Sequence, residues 1–161
     1  MKAITLWQPY ASLVAARIKA SETRGWPPPE SVIGERIAIH AAARRLTAPA
    51  HNRLPFPVRE AAFPLWLNSG WRMPYGAVVA TATVTAAGRV IDRIRNGSEG
   101  TILSQDEGTV YHFEDDGLGD YSVGRWVWSL EDVEPLAEPV PARGQQGIWN
   151  WEPQNLASSA D

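Results

Sequence analysis

The 161-residue chain contains no cysteine, which excludes disulfide frameworks, thiolate metal sites and thiol nucleophiles. It has no apolar run near the length of about 18 residues that spans a bilayer, and its N-terminus lacks the apolar segment of a secretory signal. Lysine is scarce too, with 2 lysines against 13 arginines. We therefore expect a cytoplasmic protein of one globular domain, whose positive charge is carried by guanidinium groups.

Tryptophan content and the distribution of charge are the two unusual features of the composition. Eight tryptophans are present, and such large apolar side chains ordinarily pack in a core. Residues 1–95 hold 13 Lys/Arg and 5 Asp/Glu, whereas residues 96–161 hold 2 and 13. The net charge of −3 conceals this division, so it does not exclude a nucleic-acid partner for the basic part of the chain.

Hydrophobic patterning predicts short strands and two helices. The predicted strands cover residues 2–7, 36–42, 76–86 and 124–130, with a further strand at 134–140 that Pro135 and Pro139 interrupt. Residues 22–26 are expected to be a short extended segment, and residues 148–151 follow a turn. The predicted helices cover residues 9–18 and 57–67, and Pro64 is expected to bend or end the second. Residues 43–55 and 92–120 are expected to be irregular, the latter with a short strand at 109–113. This pattern favours an α+β fold in which five to six strands form a small barrel with two or more flanking helices.

Several segments resemble, in order, the ASCH (activating signal cointegrator homology) domain family. Residues 6–14, LWQPYASLV, resemble the opening of the family, and Lys19, Glu22, Arg24 and Trp26 match its K-x-x-E-x-R-x-W segment. Less specific matches follow at 37–41, 74–79, 124–128 and 144–149. The resemblance implies a PUA-like mixed or antiparallel β-barrel over residues 1–153. The acidic insertion would lie at about 92–120 and a flexible tail at 154–161.

The same resemblance implies that the protein binds RNA or another nucleic acid in a cleft lined by the K-x-x-E-x-R segment. Some small relatives in the family are metal-independent amidohydrolases that act on acylated cytidine, and ribonuclease activity is attributed to other members. Those amidohydrolases use a lysine, a threonine three residues later and a distal glutamate. Lys19 matches the lysine, but Glu22 stands at the position of the threonine.

Two positions depart from the family pattern. Arg17 stands where the family usually has glycine, so the turn before Lys19 must be made by a residue that carries a β-carbon. Ile33 stands before Gly34 where the family usually has arginine. One expected cation of the cleft is therefore missing, unless Arg36 replaces it.

The residues of the motif suit a polar ligand. If residues 21–26 are extended, Glu22 and Arg24 project to the same face of the strand. The flanking cations would keep the carboxylate ionised, and the three groups together would bind a base edge or a phosphate. A surface ion pair without a ligand is the alternative interpretation.

Further candidates flank the motif. Trp7, Tyr10 and Trp26 can stack on bases, with core packing as the alternative. Gln8 is expected to present its amide at a helix N-terminus, and His40 to lie at the end of a strand; a structural role is the alternative for both. Arg44 and Arg45 add positive charge for phosphate contacts. No metal site or cofactor is expected, because the histidines show no ligand spacing.

The leading hypothesis is a nucleic-acid-binding module for RNA or single-stranded bases. The alternative is a metal-independent hydrolase in the same cleft, acting on an acylated or otherwise modified cytidine nucleoside or on RNA, with Lys19 and Glu22 as catalytic residues. A third hypothesis is a protein-interaction domain that uses the acidic half. The predicted binding residues are Lys19, Glu22, Arg24, Trp26, Gln8, Tyr10, Trp7, His40, Arg44 and Arg45.

Overall fold

The computed structural model describes residues 1–69, 72–96, 99–106 and 108–153. Its strands are β1 (Lys2–Leu6), β2 (Ser21–Arg24), β3 (Arg36–Ala41), β4 (Ala77–Asn96), β5 (Glu99–Asp106), β6 (Thr109–Glu114), β7 (Trp126–Pro141) and β8 (Ile148–Asn150). Its helices are α1 (Tyr10–Ala15), α2 (Ala48–Asn52) and α3 (Phe56–Asn68), and a single 3-10 turn covers Glu30–Val32. The predicted tail at 154–161 lies outside the described residues.

The strands form one mixed sheet. Six of them lie side by side in the order β2-β7-β4-β3-β1-β8, and β5 and β6 extend the sheet from β4. Strands β1 and β3 are parallel, while β1 and β8, like β3 and β4, are antiparallel. The predicted α+β class with a mixed sheet is confirmed. Within the described residues β2 and β8 do not pair with each other, so hydrogen bonds do not close the sheet into a full barrel.

Strands β4 and β7 run through the centre of the sheet and are longer than the sequence predicts. The segments 124–130 and 134–140, predicted as separate strands, belong to the single strand β7. The register between β4 and β7 shifts at three places, one of them between Val78 and Ala80, where Pro135 is paired. Such shifts relieve the need for an N–H at proline and increase the twist of the pair. The prolines therefore do not interrupt the strand.

The acidic insertion is a β-hairpin where the sequence predicts a loop. Residues of β4 from Arg89 onward pair with β5, and β5 pairs with β6 from Thr101↔Glu114 to Asp106↔Thr109. Glycines and acidic residues are poor strand formers, so local propensity underestimates this hairpin. Only residues 115–125 remain between β6 and β7, and this shorter segment returns the chain to the central sheet.

Helix α1 is shorter than the predicted helix at 9–18 because Arg17 ends it. Arg17 adopts a φ of 60°, and the carbonyl of Leu13 then accepts hydrogen bonds from the N–H groups of Ile18 and Lys19. This is the position where the family pattern has glycine, the residue that adopts a positive φ at least cost. The Nε of Arg17 donates to the carbonyl of Val133 over 2.9 Å, which ties the turn to β7.

Helix α3 continues through Pro64, which was expected to bend or end it. The helix buries Val58, Ala62 and Trp66, spaced four residues apart, in a cluster with Leu13 of α1. Packing of this face offsets the missing hydrogen bond, a loss of about 3 kcal/mol for an interior proline. Within the segment expected to be irregular, α2 forms behind a cap in which Thr47 Oγ1 accepts from an N–H of the first turn. No helix in the described part of the chain is long and apolar enough to cross a membrane.

Most tryptophans pack in the interior, as the composition predicts. Trp128 is completely buried in the main core between the sheet and α1. Trp66 belongs to α3 and is buried in the cluster that this helix forms with α1. Trp149 and Trp151 are buried in a third cluster on the other face of the sheet. Trp71 lies outside the described residues. The exception is Trp7, whose side chain is exposed to solvent at the end of β1.

Candidate functional site

The predicted motif lines a cavity between β1, α1, β2 and the segment that precedes β7. This inner cavity has a volume of about 270 Å³. Its lining residues are Thr5, Leu6, Trp7, Tyr10, Lys19, Glu22, Thr23, Arg24, Leu118, Gly119 and Asp120. Five of the predicted binding residues therefore meet here. Although β1 and β2 lie near opposite edges of the sheet, the hydrogen bond from Arg24 to the carbonyl of Thr5 joins the two strands at the cavity.

Lys19 lies at the base of the inner cavity with its side chain 1% exposed. Its Nζ is 3.9 Å from Glu22 Oε2 and 5.9 Å from the centre of the Tyr10 ring. The Nζ has no hydrogen-bond partner in the described part of the chain. Burial lowers the pKa of Lys19 below its usual range, and Glu22 opposes that shift.

Glu22 and Arg24 project to one face of β2, as the extended prediction requires. Glu22 Oε1 lies 3.2 Å from Arg24 Nε, and Arg24 Nη2 donates to the carbonyl of Thr5 over 2.9 Å. Burial raises the pKa of Glu22, and the neighbouring cations only oppose this rise. The cations favour the ionised carboxylate, as expected, but the loss of water outweighs them in the direction of the shift. Burial thus shifts the two pKa values towards each other, and the attraction between the two groups opposes both shifts.

A second cavity, the outer cavity, adjoins the first and has a volume of about 420 Å³. It shares Thr5, Trp7 and Arg24 with the inner cavity and is further lined by Trp26, Gln145, Gln146 and Gly147. Trp7 is 62% exposed at the boundary, and the guanidinium carbon of Arg44 lies 5.2 Å from its ring centre. The two cavities form one cleft with aromatic side chains along its open part.

Trp26 combines the two roles that the sequence left open. Its ring meets that of Trp128 edge to face, with 5.0 Å between centres, so part of it packs on the core. The remaining part borders the outer cavity. An aromatic side chain anchored in this way is held rigidly and can present a surface to a ligand at little cost in side-chain entropy.

Gln8 and His40 make hydrogen bonds within the protein. These contacts agree with the structural role that was the alternative interpretation for both residues. The Gln8 amide donates to the carbonyl of Pro74 over 2.7 Å and accepts from the N–H of Ser12 over 3.1 Å. His40 is 1% exposed; its Nε2 lies 3.0 Å from the carbonyl oxygen of Ala142, and its ring meets Trp149 edge to face. Gly144 covers His40 so closely that a β-carbon there would lie 2.4 Å from the imidazole Cε1.

Arg45 and Arg36, two other arginines considered from the sequence, make contacts with other parts of the protein. The guanidinium of Arg45 lies 5.4 Å from the centre of the Tyr75 ring. Arg36, the suggested replacement for a missing cation of the cleft, donates to Thr81 Oγ1 over 2.8 Å and to Glu134 over 3.2 Å. Arg36 therefore links β3 to β4 and β7. The additional positive charge near the cleft comes from Arg44, which lies beside Trp7.

Sequence reasoning missed the wall formed by Leu118, Gly119 and Asp120. Asp116 Oδ1 accepts from the N–H of Leu118 and from the hydroxyl of Tyr121, both over 2.8 Å, and the N–H of Asp120 donates to Thr23 Oγ1 over 3.2 Å. The DDGLGD run at 115–120 is typical of turns stabilised by aspartate side chains. The run itself carries no signal that this turn lies against β2.

The end of the acidic segment thus forms part of the wall of the inner cavity. Among the residues that the structure describes, no group of three or more His, Asp or Glu side chains is arranged to hold a metal ion. The cleft offers an amine, a carboxyl, a guanidinium and aromatic rings. These groups can bind through hydrogen bonds, stacking and charge, or transfer protons.

No family model and no curated protein matches the sequence. Among solved structures, the chain is similar to the ASCH protein of Zymomonas mobilis with 15% identity and a TM-score of 0.48, over 95% of this chain and 87% of that one. It is also similar to a point mutant of that Zymomonas mobilis protein with 17% identity and a TM-score of 0.46, over 95% and 90%. Both structures carry the name of the family that the sequence motifs resemble.

Proposed function

We propose that the protein is a nucleic-acid-binding module that holds RNA or another single strand in the cleft. The observation that carries this proposal is the position of Trp7, 62% exposed at the boundary of two cavities. A large apolar ring left in water beside cations offers a stacking surface, and stacking contributes about 1–3 kcal/mol per base. Trp26 adds a second ring in the outer cavity.

The charges around the cleft support a phosphate-bearing ligand. Arg44 contacts Trp7 and has no carboxylate partner in the described part of the chain. By contrast, Arg36 pairs with Glu134 and Arg93 pairs with Asp115. The acidic half therefore neutralises arginines elsewhere and leaves Arg44 beside the cleft available for phosphate contacts, which weaken with salt.

Binding of a fluorescent single-stranded RNA of about 8 nucleotides tests the proposal. We expect Trp7→Ala to weaken binding by about 1–3 kcal/mol, because it removes the stacking surface. Arg44→Ala should reduce the slope of log affinity against log salt by about one. Phe56→Ala is the matched control, since Phe56 is an exposed aromatic residue on α3 outside the cleft. Unchanged affinity in Trp7→Ala would show that RNA does not bind in this cleft.

A metal-independent hydrolase in the same cleft is the second candidate, supported by the Lys19–Glu22 pair. The two groups lie 3.9 Å apart beside a cavity open to solvent, and their pKa values are shifted in opposite directions. A neutral amine can accept a proton from water, and a protonated carboxyl can donate one to a leaving amine or alkoxide. The substrate would be an acylated or otherwise modified cytidine nucleoside, or an RNA strand.

Product formation from acylated cytidines and from RNA distinguishes the two candidates. The hydrolase requires turnover that Lys19→Met abolishes while the thermal midpoint stays close to that of the original protein. Methionine matches the length of the lysine stem and suits a buried position. Absence of turnover on every such substrate would leave the binding module as the function of the cleft.

A further inference from the structure

We propose that the cleft holds two consecutive nucleotides of a single strand, with one base enclosed in the inner cavity and its neighbour stacked in the outer cavity. The linking phosphate would lie at the boundary, beside Arg24. This inference rests on the proposed nucleic-acid binding. The smallest ligand that uses the whole cleft is therefore a dinucleotide, whose two bases lie in the two cavities and whose phosphate lies between them.

The inner cavity suits a base better than a phosphate. Its walls carry the apolar side chains of Leu6, Tyr10 and Leu118, while Glu22 and Asp120 also line it. Lys19 and Arg24 line it too, so the two carboxyls offset the two cations and leave no excess positive charge for a phosphate. A flipped-out base has apolar faces and a polar edge, which is the combination that this cavity accommodates.

The amine of Lys19 is a second, independent observation that points to a polar ligand in this cavity. Its Nζ is buried without a hydrogen-bond partner in the described part of the chain, and it lies 3.9 Å from Glu22, beyond hydrogen-bond distance. A buried donor without a partner costs about 1–3 kcal/mol. The edge of a base that carries ring nitrogens and carbonyl or amino groups would satisfy the amine and the carboxyl together.

The outer cavity has different chemistry. Its aromatic lining is Trp7 and Trp26, and its polar lining includes the exposed amides of Gln145 and Gln146. Neither amide has a hydrogen-bond partner in the described part of the chain. Each amide offers a donor and an acceptor, so the pair can adapt to any base edge. Stacking with adaptable amides predicts a second base that is held without strong selection of its identity.

Arg24 lies where the two cavities meet, because it lines both. Its Nη2 is fixed by the carbonyl of Thr5 and its Nε lies beside Glu22, while Nη1 has no partner among the described residues. The guanidinium is therefore held in place with one nitrogen free to donate. Arg44, over the Trp7 ring, adds a second positive charge at the same boundary.

Calorimetric titration with ribonucleoside monophosphates and with dinucleotides that carry one internal phosphate, all four bases being represented, tests the inference. We expect the full-length protein to bind the tightest dinucleotide at least about tenfold more strongly than its component monophosphates. The double variant Gln145→Ala/Gln146→Ala should weaken the dinucleotide about tenfold and change monophosphate affinity by less than about twofold. These glutamines are exposed, so the fold should be retained.

Arg44→Ala and Arg45→Ala form a matched pair for the boundary phosphate. The two arginines are neighbours with the same charge, but only Arg44 contacts Trp7. We expect Arg44→Ala to weaken the dinucleotide several-fold more than Arg45→Ala does. Equal losses in the two variants would indicate diffuse attraction and would overturn the placement of the phosphate.

Failure of the inference can be distinguished from failure of the proposed function. If dinucleotides and longer RNA bind no better than monophosphates in the original protein, the two-nucleotide arrangement is wrong, while nucleotide binding itself stands. If the glutamine variant weakens mono- and dinucleotides equally, the outer cavity is not a separate subsite. If neither these ligands nor an RNA of about 8 nucleotides binds, the proposed function and this inference fail together.

Discussion

The two ends of the cleft differ in how completely the protein satisfies its own side chains. At the inner end, Glu22 lies beside Lys19 and Arg24, and all three groups are largely removed from water. At the outer end, the side chains of Trp7 and Gln146 are exposed and have no hydrogen-bond partner in the described part of the chain. Side chains at the inner end therefore affect both stability and ligand chemistry, whereas those at the outer end are expected to affect binding alone.

The difference shows that residues near each other in one motif need not contribute in the same way. Breaking a buried charge cluster leaves uncompensated charges, whereas removing an exposed ring changes little in the folded protein. Variants at each end should therefore separate effects on stability from effects on binding.

The largest effect is expected from Glu22→Ala at the inner end. This change leaves Lys19 and Arg24 without their shared anion, and we expect the free energy of unfolding to fall by about 3 kcal/mol. Lys19→Met should cost less than about 1 kcal/mol, because it removes an amine without a hydrogen bond and leaves the Glu22–Arg24 pair intact. Urea unfolding monitored by tryptophan fluorescence measures both values. Equal losses would contradict the central role assigned to Glu22.

Gly144 packs against the buried His40 and precedes Gln145 of the outer cavity. Its substitution should have the next largest effect on stability. A β-carbon at Gly144 would lie 2.4 Å from His40 Cε1 and 2.9 Å from Thr5 Oγ1. We expect Gly144→Ala to lower the free energy of unfolding by about 1–3 kcal/mol, because the buried histidine cannot move away freely. Gly34→Ala is a control for a glycine that has no close neighbour, although its φ of 82° adds strain. A stability equal to that of the original protein would show that the loop before Gln145 adapts.

The turn that places Lys19 allows a smaller, paired test at Arg17. Arg17→Ala keeps a side chain at a φ of 60° and loses the hydrogen bond to Val133, whereas Arg17→Gly loses the bond but removes the strain. We expect the alanine variant to be less stable than the glycine variant by about 1 kcal/mol, opposite to the order in an ordinary helix. Chemical unfolding of both variants measures the difference. The helix order, with alanine more stable, would contradict the strain at this turn.

The smallest effect is expected in the pH dependence that His40 contributes. Burial lowers the pKa of His40 in the folded protein. The unfolded chain takes up the proton first as the pH falls below about 6.5, so the free energy of unfolding should decrease below that pH and be retained above it. His40→Gln should flatten this part of the profile, measured by unfolding between pH 7 and 5. If the profile keeps its slope in His40→Gln, another group is responsible for the decrease.

Local pattern was sufficient for the elements that carry the motif. Alternation predicts β1 and the extended segment at β2, and it correctly places Glu22 and Arg24 on one face, since strand periodicity depends only on neighbouring residues. The departure at Arg17 marks the residue with positive φ because conformational cost is also local. The predicted strands around β3, β4 and β7 have the right positions, although β4 and β7 extend further.

Long-range pairing explains the elements that were missed. The hairpin of β5 and β6 is stabilised by extension of β4, so its glycine-rich and acidic composition is no obstacle. Helix α3 passes through Pro64 because the buried face of Val58, Ala62 and Trp66 holds it in place. In each case tertiary packing overrides a local propensity of a few kcal/mol or less.

Local sequence was enough to place Glu22 and Arg24 on one face of an extended segment close to Lys19, and to show the division of charge between the two parts of the chain. Only the tertiary structure decided that Trp7 is exposed while Trp128 is buried, and that Lys19 is closed off from water. It also brought Asp120 against Thr23, 97 residues away. Burial and pKa depend on which distant segments exclude water from a side chain, and that cannot be inferred from the residues next to it.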